Sequence, residues 1–150
     1  MNKKTQSFNK PEVTNSNGLK AWEKAFASKD AKAFSDGFAE NIVLEASALR
    51  GQARGRELVS QILWTASEIY ESLTFTLQAS NGQRTYVEWE ATAFGGMQIF
   101  GSSILTVNEE GKINDAVIQH RPLDAVLTFS KEMHKRMKSE DSKKYFYSAD

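Results

Sequence analysis

The chain has no cysteine among its 150 residues. That excludes disulfides, thiolate nucleophiles and cysteine-ligated zinc, and it fits a reducing compartment. An excess of charge of one sign is also missing, since 19 lysines and arginines meet 19 aspartates and glutamates. A nucleic-acid footprint needs a basic surplus on one face. An electrostatic membrane anchor needs one as well. No stretch approaches the roughly 20 apolar residues of a membrane helix. The opening MNKKTQSFNKPEVTNSNG is basic but has no apolar run after it, so it does not read as a secretory leader. These absences point to a cytoplasmic protein without nucleic-acid or membrane partners. A chain of this length can bury roughly two-thirds of its unfolded surface without staples.

What is present reads as one α+β domain over residues 19–138. A flexible arm (1–18) precedes it and a charged, then aromatic tail (139–150) follows. Leu19, Trp22 and Phe26 form one stripe of a first helix. Asp30 is placed to cap a second, short helix carrying Phe34 and Phe38. NIVLEASALR is a first strand region, and RELVSQILWTA a third helix. A four-strand meander follows, with Leu73, Phe75, Leu77 and Ala79 predicted on one face of its first strand. Asn81-Gly82 marks a hairpin. The last strand is KINDAVIQHR. Pro122 opens a closing helix predicted to bury Leu123, Val126, Leu127, Ser130, Met133 and Met137.

The segment YVEWEATAFGG poses the functional question. In a strand, Glu88 and Glu90 share one face with Tyr86, while Val87, Trp89, Ala91 and Ala93 share the other. The carboxylates either face water, with the Trp89 row as core, or line a pocket. In a dry pocket each would raise the other's proton affinity, as a general acid requires. His120 lies on the apolar row of Ala116 and Ile118. There it is a hydrogen-bonded core residue or a proton carrier near neutral pH. His134 sits among basic residues of the closing helix, and the two histidines have no metal-ligand spacing. Gly51 and Gly55 lack a phosphate-loop lysine and mark turns. Neither a metal nor a cofactor is expected.

The order of AWEKAFASKDAKAFSDGFAENIVLE, RGRELVSQIL, YVEWEATAFGG and GSSILTVNEEGKI resembles the nuclear-transport-factor-2-like superfamily, over roughly Leu19 to Met137. That superfamily includes ketosteroid isomerase, limonene epoxide hydrolase and the SnoaL-like cyclases. The resemblance implies a curved antiparallel sheet wrapped around a cone-shaped cavity closed by three to four helices, a cystatin-like roll. It also implies a homodimer and an apolar small-molecule ligand. The isomerase's oxyanion-donating tyrosine falls on Trp22 and its general-base aspartate on Ala46. The hydrolase's Arg-x-Asp falls on Glu88-Trp89-Glu90 and its other aspartate on Ile118. The cyclases' last-strand acid has His120 and Arg121 nearest to it. This comparison turns Glu90 into the cavity and Trp89 onto the convex side. The expected chemistry is cofactor-free proton transfer of isomerase, cyclase or hydro-lyase type. Glu90 would be the acid or base and His120 its partner. Trp22, Phe26, Ala46, Trp64, Glu88 and Ile118 would line the ligand. The alternative is a non-catalytic binding or dimerisation module of the same fold.

Overall fold

The computed structural model describes residues 17–148, so nearly all of the expected N-terminal arm lies outside the described residues. Helix α1 (Asn17–Ser28) buries Leu19, Trp22, Ala25 and Phe26 along one stripe. Lys29 takes a left-handed conformation (φ 55°) and turns the chain. Asp30 then caps α2 (Ala31–Gly37), its side chain accepting the Lys32 N–H at 3.1 Å. The Phe26 and Phe34 rings meet edge to face at 5.0 Å, which joins the two helices. After strand β1 (Phe38–Ala46) comes a two-residue strand, β2 (Ala53–Arg54). Two residues carry no periodicity, and β2 has no counterpart in the sequence reading. Helix α3 (Arg56–Ile69) follows, with Glu57 in its first turn.

Strands β3 (Ser72–Asn81), β4 (Arg84–Ala93), β5 (Met97–Val107) and β6 (Ile113–Arg121) form the expected antiparallel meander. Gly82 between β3 and β4 has φ 62°, the conformation an Asn-Gly hairpin requires. The sheet order is β2-β1-β6-β5-β4-β3, and β1 pairs with β6 in parallel. The six-stranded sheet is therefore mixed, curved and unclosed.

Three placements depart from the sequence reading. Phe38, expected on the short helix with Phe34, follows its end and opens β1. In β3 the register shifts between Phe75 and Leu77, so Phe75 faces Trp89 while Leu77 faces Glu88. A one-residue slip exchanges the faces of a strand. Leu77 is accordingly 62% exposed on the outer face rather than inside with Phe75. In α4 (Leu123–Arg136) the buried stripe runs through Ala125, Phe129, Ser130 and Met133. Leu123, expected inside, is 69% exposed, and Leu127 is exposed too. Phe129 takes the central place because its ring stacks on Tyr70 (5.3 Å, 23°).

The segment expected as a tail packs on the domain. A single turn, α5 (Glu140–Lys143), is closed by a Ser139–Ser142 capping box. Beyond it the Phe146 side chain enters the core at 2% exposure.

Candidate functional site

The inner face of the sheet, α1, α3, α4 and the C-terminal segment enclose one apolar cavity. Its free volume is about 40 Å³. Four rings form a closed circuit in its wall. Tyr70 lies 5.8 Å from Trp89, Trp89 5.5 Å from His120, His120 5.5 Å from Phe129, and Phe129 5.3 Å from Tyr70. Tyr70 ends α3, Trp89 comes from β4, His120 from β6 and Phe129 from α4. Four distant stretches of sequence thus converge on one ring system.

A glycine makes the convergence possible. Trp89, Gly101 and His120 stand opposite one another on β4, β5 and β6. The Trp89 indole lies flat over Gly101, where a Cβ would come within 2.1 Å of the ring. The indole N–H reaches Ser103 Oγ, one pleat along β5, at 3.1 Å. With no side chain at 101 between them, the Trp89 and His120 rings meet almost perpendicularly, at 82°. An isolated glycine inside a strand often marks such a close approach. Gly101 was the sequence signal for an inward Trp89.

The inward Trp89 settles the faces of β4. Glu88 and Glu90 are exposed on the outer side, with Tyr86. The expected placement of Glu90 and Glu88 in the cavity is corrected, and Glu90 does not meet His120. The cross-strand partners decide this: indole, glycine and imidazole fill the inner row, and Glu90 pairs with Phe100 on the opposite face. Trp64 is not in the wall either. It is half-buried in a groove between α2 and α3, its indole N–H donating to the Lys29 carbonyl at 3.0 Å. Trp22, Phe26, Ala46, Ile118 and His120 do line the cavity. Tyr70, Trp89, Ser103, Phe129 and Phe146 line it too and had not been singled out as site residues.

Among the described residues no charged side chain lines the wall; its polar groups are His120, Tyr70, Ser103 and the indole N–H groups of Trp22 and Trp89, the latter bonded to Ser103. Ser47 Oγ accepts the backbone N–H of His120 at 2.8 Å and lies 2.7 Å from its Nδ1. A hydroxyl already accepting one N–H is best satisfied by donating to Nδ1, which leaves the ring proton on Nε2. Burial pushes the His120 pKa down to about 4, so the imidazole is neutral at physiological pH. Burial pushes the Tyr70 phenol up, so it stays a hydroxyl. Among the described residues, no hydrogen bond engages the Tyr70 hydroxyl. The site therefore offers neutral hydrogen-bonding groups in an aromatic wall.

An α+β roll of curved sheet and helices around an apolar cavity is the architecture of the nuclear-transport-factor-2-like superfamily. Within it the chain belongs to the SnoaL-like domain family, whose sequence pattern matches residues 19–116. A protein with a cystatin-like fold from Silicibacter pomeroyi DSS-3 superposes with a TM-score of 0.79 at 18% identity, covering 86% of this chain and 91% of its own. A steroid delta-isomerase from Pseudomonas aeruginosa superposes with a TM-score of 0.76 at 21% identity, covering 84% of this chain and 93% of its own. Likeness at these identities shows the fold alone. No curated protein matches the sequence. Among the described residues, no helix is long and apolar enough to cross a membrane, and no cluster of histidine and carboxylate side chains could hold a metal ion.

Proposed function

We propose that this chain binds an uncharged, largely apolar small molecule in the cavity, with His120 and Tyr70 as its hydrogen-bonding contacts. The composition of the wall carries this reading: rings and aliphatic groups, with no carboxylate, lysine or arginine among the described residues. An ion buried there would be unpaired, which costs far more than burying a hydrogen-bonded neutral group. The neutral imidazole and the phenol both donate to an acceptor such as a carbonyl oxygen. Apolar walls with a few convergent polar groups are the usual make-up of small-molecule sites.

Cofactor-free proton transfer, of isomerase, cyclase or hydro-lyase type, is the second reading. It is favoured by a neutral imidazole held in orientation by Ser47 and by a free phenol in the same wall. With both glutamates outside, such chemistry would rest on His120 rather than Glu90. Binding ranks first because a base held near 4 is poorly matched to proton abstraction at neutral pH. The proposal also includes a cytoplasmic setting and a two-fold homodimer. The homodimer is supported by an apolar band on the outer sheet face, where Ala79, Tyr86, Ile104 and Val117 stand in register.

Acetophenone and benzoate test the binding reading, being alike in size and shape and different in charge. Acetophenone is expected to shift the Trp89 indole N–H and the His120 ring resonances in NMR titration, with benzoate at least tenfold weaker. His120→Ala and Tyr70→Phe are each expected to weaken acetophenone. Equal responses to both compounds, or none at these residues, would overturn the reading.

A further inference from the structure

The cavity holds about 40 Å³ of free space. On this measure a single water needs ~10–15 Å³, and an apolar cavity known to take benzene measures ~150 Å³. The site as it stands is too small for the ring-bearing ligand its walls suit. One wall residue differs from the rest in how it is held. Most of the lining comes from long helices and the sheet, whereas Phe146 comes from the segment that follows the single-turn α5. At 2% exposure its benzyl group is inside the domain with the other lining rings.

Hydrogen bonds with α4 and with the loop after β1 clip the segment carrying it onto the domain. The Arg50 N–H donates to the Tyr145 carbonyl at 2.7 Å. The Tyr147 N–H donates to Ser130 Oγ at 2.8 Å, and that hydroxyl donates in turn to the Ala48 carbonyl at 2.7 Å. Lys143 Nζ reaches the His134 carbonyl at 2.8 Å. No strand pairing secures residues 144–148. Leu49, a lining residue that keeps some exposure, is the neighbour of Arg50, so a rim of the cavity adjoins the clip.

We infer that Phe146 occupies the subsite for the ligand's ring, and that an uncharged ligand with a benzyl- or cyclohexyl-sized group enters by displacing the Phe146 segment. This rests on the cavity being a ligand site, as proposed above, but not on the hydrogen bonds from His120 and Tyr70. A side chain tethered next to its own site competes at high effective concentration. Apparent affinity is then reduced by the fraction of molecules in which the segment is closed. Removing the benzyl group removes the competitor and leaves a dry apolar cavity of the kind that takes up small aromatics.

Toluene, the detached equivalent of the phenylalanine side chain, is the probe. Phe146→Ala is expected to bind toluene at least tenfold more tightly than the unmodified chain in NMR titration, with Tyr147→Ala unchanged. In the unmodified chain, saturating toluene is expected to speed hydrogen exchange at the Arg50 amide, whose partner Tyr145 leaves with the segment, and at the Tyr147 amide, which leaves its partner Ser130 behind. The exchange measurement decides alone if Phe146→Ala does not fold. Equal toluene affinity with and without the Phe146 ring, or slower exchange at Arg50 and Tyr147, overturns the inference. Toluene has no polar group, so failure of the hydrogen-bonding reading with acetophenone leaves this result standing. Toluene binding that is equal in both chains removes the competitor while leaving the cavity a ligand site.

Discussion

Ser47 holds His120 at two points, its hydroxyl accepting the backbone N–H at 2.8 Å and lying 2.7 Å from Nδ1. One side chain thus ties the end of β1 to the end of β6 and orients the His120 imidazole in the cavity wall. Ser47→Ala is expected to cost about 1 kcal/mol, because Ser47 is exposed and water can replace part of what is lost. Urea denaturation measures that. The specific sign is in the ring: 15N shifts of His120 should move from one dominant tautomer toward a mixture. An unchanged tautomer would show that the ring is oriented by its aromatic neighbours alone.

His120 also predicts a pH dependence. Its folded pKa, about 4, lies below the ordinary 6.5. The unfolded chain therefore takes up a proton at higher pH than the folded one. The contribution is constant above about pH 6.5, is lost as pH falls from there to about 4, and levels off below. Ser47, Trp89 and Phe129 face the ring, and no carboxylate contributes to its shift. The loss amounts to no more than about 3 kcal/mol. Stability curves for the unmodified chain and His120→Gln should converge or cross between pH 7 and 4. Parallel curves would mean that the ring titrates normally.

Gly101→Ala should be destabilising through overpacking. The new Cβ would lie 2.1 Å from the Trp89 ring. The expected cost is about 1–3 kcal/mol, with a shift in tryptophan fluorescence. Adding Trp89→Leu should recover part of it, giving a clear coupling energy in a double-mutant cycle. Additive effects would contradict the contact.

Ser130→Ala removes a buried hydroxyl that links the Ala48 carbonyl to the Tyr147 N–H. Leaving buried partners unsatisfied should cost about 1–3 kcal/mol. Hydrogen exchange at Tyr147 should accelerate by more than the global loss explains. A uniform change across the chain would show that the segment is not a separate unit.

The outer sheet face carries the dimer proposal. Ile104 stands between Tyr86 and Val117 in the apolar band. Ile104→Lys is expected to convert a micromolar dimer into a monomer in sedimentation without loss of fold. A monomeric unmodified chain at the same concentration would sink the proposal.

Most of the element order was legible in the sequence because its signals are local. Asp30 before an apolar stripe, Asn81-Gly82 between alternating runs and Pro122 at a helix entry act through neighbouring backbone groups. The Trp22 and Phe26 stripe and the row of Ile118 and His120 were legible for the same reason, and both reach the cavity. The register shift between Phe75 and Leu77, the two-residue β2, the inward turn of Phe129 and the docking of Phe146 were not. Each depends on a partner far away in the chain.

Period-two alternation by itself determined that Glu88 and Glu90 share a face and that Trp89 lies on the other. It could not say which face is inside, because both faces of a strand obey the same local rule. That was decided by tertiary structure: Gly101 on β5 leaves the space that the Trp89 indole from β4 fills, and His120 on β6 closes the row. The same holds for the candidate site as a whole. Residue types and their spacing are properties of the chain. The ring circuit of Tyr70, Trp89, His120 and Phe129 exists only once four separated segments are packed, since van der Waals contact acts over a few ångströms whatever the distance in sequence.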